Sequence, residues 1–142
     1  MYSFRKSKVG FTLIELMVVV AIIGVLSLLG LRLYTGQQEK AKNAIVKANA
    51  GTVQTLIQGD LADTPALTAA QAVTRGIAAN LRNPYNSTSV SVIIATSATA
   101  TVTGNVGRVG VIGTGTGGTQ PFSIIGYGAG GVVISEVLTA RL

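Results

Sequence analysis

A chain of 142 residues has room for one domain, and charged residues make up only 11% of it, against roughly 25% in an ordinary soluble domain, while apolar residues reach 48%. Cys and His are both absent, which excludes disulfides, thiolate and imidazole metal ligands, cysteine nucleophiles and Ser-His-Asp triads. Only 5 carboxylates remain, so the chain is not expected to be an enzyme and no catalytic residue is assigned.

The net charge is +6, and half of it sits in residues 1–10, on Arg5, Lys6 and Lys8. An apolar stretch follows. From Leu16 to Leu31 no residue is charged. Counted from Phe11, the segment as a helix spans about 31 Å at about 1.5 Å per residue, matching a hydrocarbon core of about 30 Å. Basic residues before the run place the N-terminus on the cytoplasmic side. A buried core helix is the competing reading, but a domain this small cannot wrap such a segment. A cleaved secretory signal competes as well. Against it, Leu31-Arg32-Leu33-Tyr34 offers no small-x-small cleavage site, and a carboxylate, Glu15, stands at the head of the run. A charge at the bilayer centre costs about 2.5–3.5 kcal/mol, less toward the edge, so such a residue either snorkels or faces a partner.

The string Lys8-Val9-Gly10-Phe11-Thr12-Leu13-Ile14-Glu15-Leu16-Met17-Val18-Val19-Val20 resembles the signature of type IV prepilins and of the related type II secretion pseudopilins, over about residues 5–31. The resemblance implies cleavage after Gly10 by a prepilin peptidase, N-methylation of the new N-terminus at Phe11, and an assembly role for Glu15. It implies a leader at 1–10 and a transmembrane or filament-core helix at 11–31. It also implies a homo-polymer built by pilus assembly machinery. The precursor would reside in the inner membrane and the mature subunit in an extracellular filament of the kind used for adhesion and motility. Many members carry a Pro near the twenty-second mature residue; here that position is Arg32, with Gly24, Gly30 and Gly36 around it.

Helical spacing continues. Tyr34, Ala41, Ile45, Ala48 and Leu56 fall on one stripe, widened by Val46, Val53 and Ile57, and the stripe over 41–57 is read as core-facing. The amphipathic continuation is assigned to 32–58, with Gly59 as C-cap. A connecting region spans 59–88, with Thr64-Pro65 as helix start and a short helix from Ala66 to Arg75 ending at Gly76. Pro84 in Asn83-Pro84-Tyr85 breaks regular structure, and the Asn-Pro-Tyr turn also resembles pilins and major pseudopilins.

From 89 to 142 the chain reads as an antiparallel sheet of four to five strands. The candidates are Val90–Ala95, Ala98–Thr103, Val106–Ile112, Phe122–Tyr127 and Val132–Leu138, joined by Gly-rich connections. Thr and Ser are expected on a solvated outer face, Val and Ile on an inner face. The fold class is α+β: a long N-terminal helix under a C-terminal sheet.

Three local patterns carry less than they suggest. Gly113, Gly115 and Gly118 fit G-x-G-x-x-G, but Thr119-Gln120-Pro121-Phe122 follows where the fingerprint needs a helix. Asn86-Ser87-Thr88 is a glycosylation sequon of a kind common by chance. Arg75, Arg82, Arg108 and Arg141 lack interleaved aromatics, so nucleic acid is not an expected partner. Glu136 is the sole carboxylate side chain between Thr64 and Leu142, too few for a calcium site. No metal and no cofactor are expected. The function expected is that of a type IV pilus subunit, with a type II secretion pseudopilin or a DNA-uptake pilin as alternatives.

Overall fold

The computed structural model describes residues 10–64, 67–87, 92–98, 101–113, 121–135 and 137–140. The basic residues Arg5, Lys6 and Lys8, the proposed helix start at Pro65, Thr88 of the sequon, Gly115 and Gly118, Glu136 and Arg141 lie outside them. The chain divides into two units, Met1–Gln37 and Gln38–Leu142.

Helix α1 runs Leu13–Asp63, 51 residues. Within the first unit every described residue is exposed. Within the second, one face of α1 is buried: Val46, Ala50, Val53, Ile57 and Leu61. Their spacing of three and four residues keeps them on one stripe. This corrects the core face read from the sequence. Ala41 and Ala48 are exposed, Ile45 and Leu56 retain 48% and 36% of their surface, and Tyr34 is 61% exposed. Both stripes have helical periodicity, and the sheet selects the one carrying Val46, Val53 and Ile57. The helix also outlasts its expected end. Gly59 does not cap it, and the Thr64 N–H donates to the Asp60 carbonyl at 2.7 Å. Burial of Leu61 rewards the extra turn.

Helix α2 spans Ala69–Ala78, a turn later than expected. Its N-cap is Thr68, whose hydroxyl accepts from the Gln71 N–H, while the Gln71 side chain accepts from the Thr68 N–H: a reciprocal capping box. Gly76 is not its end. It lies inside the helix, where an added Cβ would come 2.9 Å from a Val92 methyl, so the missing side chain lets α2 close on the first strand. Asn80, at φ 52°, follows the helix in the left-handed region.

The four-stranded sheet comprises β1 (Val92–Ile94), β2 (Val109–Gly113), β3 (Phe122–Gly126) and β4 (Leu138–Ala140), in the order β1-β2-β3-β4. β2-β3-β4 is an antiparallel meander, with Val111 opposite Ile124 and Ser123 opposite Thr139. β1 pairs parallel to β2, Val92 opposite Val109. The sheet is therefore mixed, which corrects the all-antiparallel expectation for its first strand. The α+β class stands. A parallel neighbour needs a longer connection than a hairpin supplies, and residues 95–108 provide it. The strand expected over 98–103 does not form in its described part, which ends in a 3-10 turn, Thr103–Asn105; a second such turn, Ala129–Gly131, lies in the expected Gly-rich connection, and the last strand, expected over Val132–Leu138, is found at Leu138–Ala140.

One sheet face packs Val92, Val109, Val111, Phe122 and Ile124 with the buried face of α1 and with Ala72 of α2. The other face carries Ser123 and Thr139 toward solvent, as expected, but only at one end. Ile125 and Tyr127 are buried there with Ala95, and Ile93, Ile112, Ala98 and Val133 pack around them.

The segment 82–87 is fastened by one buried polar side chain. The Oδ1 of Asn83 accepts from the Tyr85 N–H at 2.8 Å and the Asn86 N–H at 3.2 Å, and its Nδ2 donates to the Val106 carbonyl at 2.7 Å. Gly107, at φ 75°, lies so close that a Cβ there would overlap Asn83. The Tyr85 hydroxyl donates to Asn43 Oδ1 on α1 at 2.6 Å, and Lys42 Nζ lies 5.3 Å from the ring centroid.

Candidate functional site

The residues singled out at the head of the apolar run sit where α1 begins. Gly10, Phe11 and Thr12 lie outside any helix and Leu13 is the first helical residue. Phe11 is 90% exposed. The first intrahelical bond runs from the Leu16 N–H to the Thr12 carbonyl.

Thr12 and Glu15 form a second reciprocal box. One carboxylate oxygen of Glu15, Oε2, accepts both the Thr12 N–H at 2.8 Å and the Thr12 hydroxyl at 2.7 Å. The Thr12 hydroxyl oxygen in turn accepts the Glu15 N–H at 3.4 Å. Two of the four donors that a helix start leaves without an intrahelical partner are thereby satisfied. A negative side chain in the first turn also complements the positive end of the helix dipole. The arrangement at Thr68 and Gln71 has the same form, with distances of 2.9, 2.9 and 3.4 Å. An amide and a carboxylate thus do the same capping work in one chain.

Phe11, Ile14, Glu15, Val18 and Val19 line an open groove on this end of the helix, apolar except for the one carboxylate. Phe11 and Glu15 therefore share one surface, as their sequence spacing suggests. Thr12 is the participant that the sequence reading passed over. Its signal was present: Thr-x-x-Glu ahead of an apolar run is the capping-box pattern.

Beyond Glu15 the helix carries apolar side chains all round, and none of them is covered. Leu16, Met17, Val20, Ile23, Leu26 and Leu29 each leave more than half of their surface exposed. The most apolar part of α1 has a mean hydropathy of 2.7 and 0% of it is buried. By length and composition the helix can cross a membrane, and the alternative of a buried core helix does not describe this segment. Among the basic residues further along, Arg75 Nε lies 3.6 Å from Asp60 Oδ2.

The chain matches the family model described as the prokaryotic N-terminal methylation motif over residues 5–31. No curated protein and no solved structure matches it. Residues 5–31 thus carry the N-terminal methylation motif found in type IV pilin-like prepilins.

Proposed function

We propose that the chain is the structural subunit of a type IV pilus. A prepilin peptidase hydrolyses the Gly10–Phe11 bond and the freed α-amine of Phe11 is N-methylated. The precursor sits in the cytoplasmic membrane with its N-terminus inside. The mature subunit then polymerises through α1 with identical copies into an extracellular filament. The observation that carries this reading is the methylation motif at 5–31 joined to a helix whose apolar stretch is exposed throughout its described residues. Loss of the leader removes Arg5, Lys6 and Lys8, and with them half of the net charge. The helix tip then has less to hold it at the cytoplasmic face.

Moving the helix from lipid into a bundle gains little hydrophobic free energy, because lipid is already apolar. Charge pairing must help. The Phe11 amine of a subunit already placed can carry a positive charge, since methylation leaves it protonatable. It meets Glu15 of the incoming subunit and rewards correct axial register, since a misplaced carboxylate stays desolvated and unpaired.

Mass spectrometry of filaments sheared from cells tests the reading. The chain should dominate that fraction and begin at N-methyl-Phe11. Confinement to the cell envelope in low copy would instead favour the secretion pseudopilin.

A further inference from the structure

The capping box does more than close a helix end: it decides where the backbone stops being helical, one residue beyond the bond to be cut. We propose that the Thr12–Glu15 box is a processing determinant, with Thr12 as a positioning residue that keeps the Gly10–Phe11 bond out of α1 so that a peptidase can take it. The inference rests on the prepilin reading above and extends it to a residue with no assigned role.

The physical case starts from the Thr12 N–H. In a continuous helix it would donate to the carbonyl four residues upstream and carry the helix through Phe11 and Gly10. Here it donates to Glu15 Oε2, at 2.8 Å. The Thr12 hydroxyl holds that carboxylate in place at 2.7 Å and accepts the Glu15 N–H. Among the described residues the helical bonding begins with Leu16 to Thr12, and Gly10 and Phe11 are non-helical. Next to hydrocarbon the alternative is strong, because backbone groups there are satisfied most readily by continuing a helix. Phe11 has no helix-breaking character to prevent it, and a single Gly10 only weakens the extension. Hydrolysis adds one water across the Gly10 carbonyl carbon and the Phe11 nitrogen, releasing a Gly10 carboxylate and a Phe11 α-amine. That amide must be reached by the peptidase's nucleophile, which a bond wrapped into a helical turn obstructs. The box at Thr68 and Gln71 supplies the control within the same molecule. Gln at the third position caps in the same way, so capping and charge can be separated at Glu15.

The test is cleavage of the full-length precursor in detergent micelles by purified prepilin peptidase, with helix start read from backbone carbon chemical shifts at Gly10 and Phe11. Thr12→Ala should slow cleavage about fivefold, the typical effect of losing a Thr N-cap, and turn the shifts at Gly10 and Phe11 helical. Thr12→Ser should restore both, and Glu15→Gln should cleave as the unsubstituted precursor does. If Thr12→Ala is cut at the unsubstituted rate, or its shifts at Gly10 and Phe11 stay non-helical, the inference is overturned. If the unsubstituted precursor itself is not cut after Gly10, it is the prepilin reading that fails.

Discussion

The two ends of α1 use apolar residues for opposite purposes. From Gln38 onward the helix earns its place by burying one stripe, Val46, Ala50, Val53, Ile57 and Leu61, while its other faces stay open. From Leu16 to Leu31 it is apolar on every side, and no residue there is buried. Residues of the same type are therefore buried against the sheet in one region and exposed in the other, where the proposed function gives them lipid or neighbouring copies as cover. Substitutions in the two regions should consequently separate stability from assembly.

The largest effect on stability belongs to the buried stripe. Ile57→Ala should destabilise the detergent-solubilised chain by about 2–5 kcal/mol, read as the midpoint of urea unfolding. The matched change Ile23→Ala, at a residue 56% exposed, should leave that midpoint within about 0.5 kcal/mol of the unsubstituted value. Equal shifts from both would show that the first unit contributes to the cooperative fold.

The next effect is at Asn83. Replacement by Ala leaves the Tyr85 and Asn86 N–H groups and the Val106 carbonyl without the partner they now have. A cost of about 2 kcal/mol is expected, within the range for buried groups left unsatisfied. Gly107→Ala should also destabilise, through its φ of 75° and its overlap with the Asn83 side chain.

A smaller, pH-dependent effect is expected at Tyr85. Desolvation, and then the charge of Glu39, raise its phenol above the ordinary value, against a backbone hydrogen bond from Ala129 that favours the phenolate. The folded state therefore favours the protonated form. The associated stability is complete below the unfolded phenol value of about 10 and is lost as pH rises through the higher folded value. Thermal melts between pH 9 and about 11 should show a decline that Tyr85→Phe reduces. Least of all, Asp60→Asn should cost under about 1 kcal/mol, because the Arg75 side chain is 66% exposed and the pair is open to solvent. Chelator should leave the melting temperature unchanged if the sequence expectation of no metal holds.

How much of this was legible beforehand depends on what each signal measures. The presence of α1 was written in its spacing, and the apolar head with Gly10, Phe11 and Glu15 was written in a motif. Its buried face was not. Ile45 and Leu56 repeat at helical spacing as well as Val46, Val53 and Ile57 do, and periodicity cannot say which stripe meets a sheet. That choice is made by contacts with strands far away in sequence, such as Ile124 on β3. The direction of β1 was hidden for a similar reason: a short apolar run reads the same whether its partner runs parallel or antiparallel. Two capping boxes were readable and were passed over. At α2 the helix-starting look of Thr64-Pro65 drew the boundary too early. At Thr12 the signal is masked by the charge of Glu15, which reads as a residue in need of a partner although it reaches back to the residue three before it.

The separation of fold from assembly is tested most directly by Glu15→Gln as the sole subunit in a cell, with urea midpoint, leader cleavage and sheared filament yield measured on the same strain. The account predicts an unchanged midpoint, normal cleavage and a severe loss of filaments, because the amide keeps the capping geometry and loses the charge. Filaments at the unsubstituted yield would contradict it.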